Sequence, residues 1–291
     1  MRKIINEVWT NTYSESEWLT AKIAIMYVWL FITLEILFIY KSAPFPQGIF
    51  TFDVVANIEN SITNYILMLA SVIFCAMYLY EKMMRLTTLA IFIISVFAFS
   101  LEESNGILNR YGLLSMVFFV QFLAYQLAHY YKSLNHTQLR FLFSIQVITG
   151  GYILSGLSKL LVSGFDWISN SKYLSLQIIK SHYYNYLTYG NPQTLEIGEK
   201  YAQFAQQNTV IIQTLLTTSI VLELFAWISI GNKKRAIIYG SLLMLMHTGI
   251  SILMDIKLVG ISRPMFIFMV NPLFIIWIGL IRPTYIKFKK K

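Results

Sequence analysis

Lys159 is the only formally charged residue in the apolar stretch 141–165, FLFSIQVITGGYILSGLSKLLVSGF. An ionisable group in such a setting is costly to keep and marks a functional site by default. A dry site favours the uncharged amine, and an uncharged amine is a base or a nucleophile. A carboxylate neighbour acts the other way and holds the charge. Tyr152, Ser155, Gly156 and Lys159 fall on one helix face by their spacing. Small residues at Gly151, Ser155 and Gly156 let another helix come close. This face is therefore expected to look into protein.

Depth along a helix follows from the rise per residue. Lys159 lies four residues before the outer end of its run, so about 6 Å down at ~1.5 Å per residue. Glu35 lies five residues before the outer end of the first run, at about 8 Å. Asp255 ends the seventh run, and His247 sits two turns deeper. These four residues are expected to converge in the outer half of a bundle, with Glu35 beside Lys159. Glu223 falls in the inner half by the same count. A structural alternative stays open: Lys159 can snorkel along its stem or pair with Glu35 merely to fix helix register. His247 alone reads most simply as a core histidine. Gln121, Gln126, Gln146 and His129 read as interhelical hydrogen-bond formers.

The elements that must carry these residues are membrane helices. Of 291 residues, 56% are hydrophobic and only 13% charged, with mean hydropathy +0.58, against about 25% charge in an average soluble domain. The apolar residues come in eight continuous blocks, 22–40, 62–80, 86–101, 112–131, 141–163, 210–230, 236–256 and 264–281. Most approach the ~20 residues that cross a bilayer as a helix, and none alternates as a barrel strand would. The expectation is an all-α polytopic membrane bundle of about eight spans, one domain over 1–291.

Charge distribution orients the bundle. With the N-terminus inside, fifteen Lys and Arg fall on the inner side and seven on the outer, out of 23. That bias predicts cytoplasmic termini in a multi-pass membrane protein. The net charge of +9 is thereby accounted for without a nucleic-acid partner. The basic tail 282–291 suits anionic lipid. The polar N-terminus, with Trp9 and Trp18, suits either an interfacial helix or a frayed end. Cys75 is the only cysteine, so no intrachain disulfide forms. Residues 41–61 open with Pro44, Pro46 and Gly48, which interrupt a helix. The extracytoplasmic loop 164–209 holds a tyrosine-rich amphipathic part, read first as an aromatic-belt segment and second as a lid, then a short polar helix over 194–208.

The string Tyr152 to Trp167, YILSGLSKLLVSGFDW, resembles the Tyr-x-x-x-Gly-x-x-Lys-spacer-Trp signature of vitamin K-dependent gamma-carboxylases and their bacterial HTTM-domain relatives. His247 to Asn271 is similar to that family's His-containing helix, and Tyr111 to Leu114 to the start of another. The resemblance implies a lysine, here Lys159, that deprotonates a reduced naphthoquinone. Oxygenation of the quinol then gives a stronger base, which removes a proton from glutamate before carbon dioxide adds. With the residues placed by depth, His247 and Glu35 are expected to tune or position that lysine, and Tyr152, Gly156, Trp167 and Asp255 to form the cofactor's surroundings. Three departures stand out. No histidine lies between 102 and 128, although Asn105 and Asn109 match the family's Asn-His region in part, and Trp167 is followed by Ile-Ser-Asn-Ser. The chain also stops at Lys291, without the family's large extramembrane domain. Relatives of the sporulation-delaying protein B type share the architecture and serve peptide-toxin maturation.

Three functions follow as expectations. The first is a membrane enzyme in which Lys159 and a lipid-soluble quinol modify a secreted peptide or small substrate at the outer leaflet. The second is a non-catalytic partner or immunity protein, favoured by the missing histidine. The third is a small-solute transporter, although paired interrupted helices in matching halves are lacking. No phosphate-binding loop, H-E-x-x-H, C-x-x-C or G-x-S-x-G occurs, and His129, His136, His182 and His247 lack metal-ligand spacing.

Overall fold

The computed structural model describes residues 7–45, 47–52, 61–107, 111–256 and 259–281, and these are helical with no strand among them. The basic tail, Arg110 and Asn109 lie outside the described residues. Helix α1 (Glu15–Ile39) starts at a capping box, in which Ser14 and Glu17 satisfy each other's backbone amides. It is followed by α2 (Ser61–Leu79), α3 (Met84–Ser104), α4 (Gly112–Tyr130) and α5 (His136–Ser163), the last capped by Asn135. A short turn at Asp166–Ser169 leads to α6 (Leu174–Tyr189) and α7 (Gln193–Gln207), an antiparallel hairpin. Then come α8 (Thr209–Leu224), α9 (Lys233–Met254) and two short pieces, α10 (Val259–Met265) and α11 (Pro272–Ile276).

Six of these helices are long and apolar enough to cross a membrane, or seven if the bent pair Gly260–Val270 and Pro272–Gly279 forms one span. The eight expected blocks are thus reduced. The block 210–230 stops as a helix at Leu224 and tightens into the turn Ala226–Ile230. The 16 residues of α8 rise only about 24 Å, short of the ~30 Å hydrocarbon layer. The block 264–281 is bent by 46° because Asn271 takes a left-handed conformation (φ 52°) before Pro272. Asparagine tolerates that conformation, and its side chain caps the following turn at Phe274.

One end of the bundle is held by buried charges. Glu17 pairs with Lys233 at 2.5 Å, both side chains being at most 3% exposed. Asn271 donates to the Glu17 carbonyl and accepts from Thr20 at 3.1 Å. Beside this lock, Lys22 and Trp18 Nε1 both donate to Glu81 at 2.9 Å, and the Arg140 guanidinium stacks 4.2 Å from the Trp18 ring. Burial alone raises the Glu81 carboxyl. The Lys22 hydrogen bond and charge, with Trp18 and Arg140, outweigh it and hold Glu81 below its ordinary value. Trp18 is therefore a core residue at 1% exposure, not an interfacial anchor. Gln121 bridges Tyr78 and Ser144 across three helices, as expected, whereas Gln146 is exposed.

Candidate functional site

Away from that ionic end, α5, α8 and α9 enclose an apolar chamber of about 1200 Å³. Its walls carry Tyr152, Ser155 and Lys159 from α5, Ser219 and Glu223 from α8, and Met246 and His247 from α9. Leu174 and Gln177 of α6 and Phe204 of α7 also border it, with Trp167 from the short turn. Parts of the 164–209 excursion thus border the chamber. Tyr183, Tyr184 and Tyr189 are exposed on the hairpin.

Lys159 donates to both carboxylate oxygens of Glu223, at 2.5 and 2.6 Å. The Glu223 side chain is 5% exposed and that of Lys159 23%. A lysine head has three donors, so one is left after Glu223; the Trp167 ring lies 5.6 Å from the amine. In a second polar group, the Tyr152 hydroxyl meets His247 Nε2 at 2.5 Å and Met265 Sδ at 3.1 Å. His247 Nδ1 is buried without a hydrogen-bond partner among the described residues. No group of three or more metal-ligating side chains occurs among them.

Of the expected site residues, Lys159, His247, Tyr152 and Trp167 meet at the chamber. Three others do not. Glu35 sits on an exposed face of α1, away from the chamber, because rotation about the helix axis turns it outward between the buried Thr33 and Ile36. Asp255 is absent from the walls; it accepts from Asn185 Nδ2 at 2.7 Å and so fastens α6 to the end of α9. Gly156 is a packing contact. A Cβ there would meet Glu223 and Leu224 at 3.1–3.2 Å, and this close approach brings Glu223 level with Lys159. Depth counting missed Glu223 because it assumes that every helix starts at one plane with one tilt. The small residues of the Tyr152–Lys159 face were the available signal, since they announce a tightly packed neighbour.

Chemically, the Lys159–Glu223 pair carries no net charge and can take up one proton as a unit. The carboxylate accepts directly, or the amine accepts after passing a proton to Glu223. Scans against protein-family models, curated proteins and solved structures find no match to the chain.

Proposed function

We propose that the protein is a membrane-embedded enzyme of the gamma-carboxylase-like class, with both termini cytoplasmic and the chamber opening to the outer leaflet of a bacterial cytoplasmic membrane. The observation that carries this reading is the Lys159–Glu223 pair on the wall of a large apolar chamber. The space suits a reduced naphthoquinone. Ligand pockets of about 300–1,000 Å³ are mostly apolar with a few fixed polar groups, and the pair and Tyr152–His247 are such groups. When bound, a naphthoquinol with oxygen supplies the driving force for proton removal from a peptide or small substrate, to which carbon dioxide adds. The Lys159–Glu223 pair receives the proton of a hydroxyl placed against it, and Glu223 keeps the amine in position. Tyr152 and His247 orient the polar edge of the bound molecule, and Trp167 with the α6–α7 hairpin limits water.

The bidentate geometry also favours a second reading, a non-catalytic partner or immunity protein in which the pair only fastens α5 to α8. One experiment separates the two. The purified chain in nanodiscs is given a reduced naphthoquinone under oxygen, and quinol oxidation is followed by absorbance. The enzyme reading expects oxidation well above the protein-free rate, abolished in Lys159→Ala. Lys159→Arg should fold and turn over more slowly, since arginine keeps its proton and closes the route through the amine. Native mass spectrometry without a retained quinone, together with no acceleration, sinks the enzyme.

A further inference from the structure

The chamber has a side opening. On α9, Leu242, Leu245, Gly249 and Ile252 recur at i, i+3, i+7 and i+10, a single stripe along the helix. All four border the chamber and yet are exposed, Leu245 to 70%. On α8, Leu215 is 56% exposed and lies, with Leu222, on the facing stripe. Residues that line a cavity and also face outward mark the edges of a gap. The gap is closed at one end, where the Tyr239 hydroxyl donates to the Leu222 carbonyl at 3.0 Å. At the other end Ile212 packs in one cluster with Leu253 and Met254. Between them, the Ser219 hydroxyl to Met246 Sδ contact at 3.2 Å is a weak tie. The stripe from 242 to 252 spans about 15 Å at ~1.5 Å per residue. At its centre, a Cβ on Gly249 would meet nothing within 4 Å.

We infer that a neutral, single-tailed amphiphile passes from the bilayer into the chamber sideways between α8 and α9, and that Gly249 is the residue that keeps this portal open to its tail. The edges are apolar and both helices present them outward, so the route suits a chain already dissolved in hydrocarbon. Beyond the portal stands a Lys159–Glu223 pair of zero net charge, which a hydroxyl can approach. A phosphate head would have to shed its water for a lysine whose charge Glu223 already balances at 2.5 and 2.6 Å, and an anion gains little in such an exchange. The inference rests on the chamber described under the proposed function but not on any reaction there.

The test uses the full chain in nanodiscs and 4-decylphenol bearing a diazirine at mid-chain as the probe. Photolysis should place chamber adducts on Met246 and Ile250, with Leu69 and Ile73 on the outer face of α2 as an internal reference. Gly249→Trp is expected to cut the chamber adducts at least five-fold at unchanged reference labelling. Gly249→Ala should stay near the wild-type level, showing that the loss reflects blockage rather than misfolding. Chamber adducts that survive Gly249→Trp overturn the portal. So does equal chamber labelling by a sulfonated, membrane-impermeant form of the probe, which reports access from water. A Lys159→Met/Glu223→Leu double variant should still label at Met246 and Ile250. If it does while quinol oxidation is absent even from the wild type, the portal stands and the enzyme falls.

Discussion

Removing one charge of the Lys159–Glu223 pair, and then both, distinguishes a fastening role from a chemical one. In Lys159→Met the Glu223 carboxylate loses two donors at 2.5 and 2.6 Å while only 5% exposed. Leaving one partner of a buried pair alone costs roughly 3–5 kcal/mol. In Glu223→Leu the lysine head is left behind, but at 23% exposure it can swing towards water, so about 1–3 kcal/mol is expected. The double variant leaves no orphan charge and should return to within about 1 kcal/mol of wild type. The cycle then yields a coupling of about 3 kcal/mol or more, at the upper end for contacting residues. At about 2–4 °C per kcal/mol for a chain of this size, Lys159→Met should unfold roughly 6–20 °C earlier. Tryptophan fluorescence on heating the nanodisc-embedded chain provides the measurement, with quinol oxidation run on the same samples. Single variants that add to within about 0.5 kcal/mol refute the pairing. A double variant that is stable but inactive assigns the pair to chemistry.

In the Glu17–Lys233 pair both side chains are buried, so Glu17→Leu, which strands a lysine that cannot snorkel, should cost more than Glu223→Leu, roughly 3–5 kcal/mol, read by the same melting assay. Glu81 titrates below its ordinary value in the folded chain, so its stabilisation is full above the unfolded carboxylate value and is lost as pH falls through the folded one. The melting point should therefore drop more steeply below about pH 4 in wild type than in Glu81→Gln. Gly156→Leu should force α8 away from α5, given the 3.1–3.2 Å approach, costing about 1–3 kcal/mol and the Lys159–Glu223 contact together. Asn185→Ala should speed amide exchange across α6 by releasing it from Asp255, leaving exchange in α3 unchanged; equal exchange in α6 refutes the latch.

The candidate site was partly legible in the sequence because one of its signals needs no geometry. A lone lysine in an apolar run is conspicuous whichever way the helices tilt, and the Tyr152–Lys159 face follows from spacing within a single helix. Partner identity is another matter. Choosing Glu223 over Glu35 depends on the rotation of α1 and the shortness of α8, which arise from packing between helices. Trp18 was misread for a similar reason: beside lipid a tryptophan suits the interface, but here Arg140, 122 positions downstream, covers its ring. The bend at Asn271-Pro272 was readable, since Asn-Pro is a breaker wherever it occurs, but hydropathy alone carries the block straight through it.

The hydrogen bond between Thr20 and Asn271 joins positions 251 residues apart in the chain. A ribosome adding about 5–20 residues per second takes roughly 13–50 s to make the second after the first. Through that interval α1 has already left the exit tunnel with only its local bonds made, from Ser14 to Glu17 and from Thr20 to the Glu17 carbonyl, while Lys233 and Asn271 do not yet exist. The nascent protein must therefore keep the foot of its first helix wet, or in the custody of the insertion machinery, until Lys233 and Asn271 are synthesised. Assembly closes where it began, and a chain truncated ahead of Lys233 should be recognised as unfinished by membrane quality control.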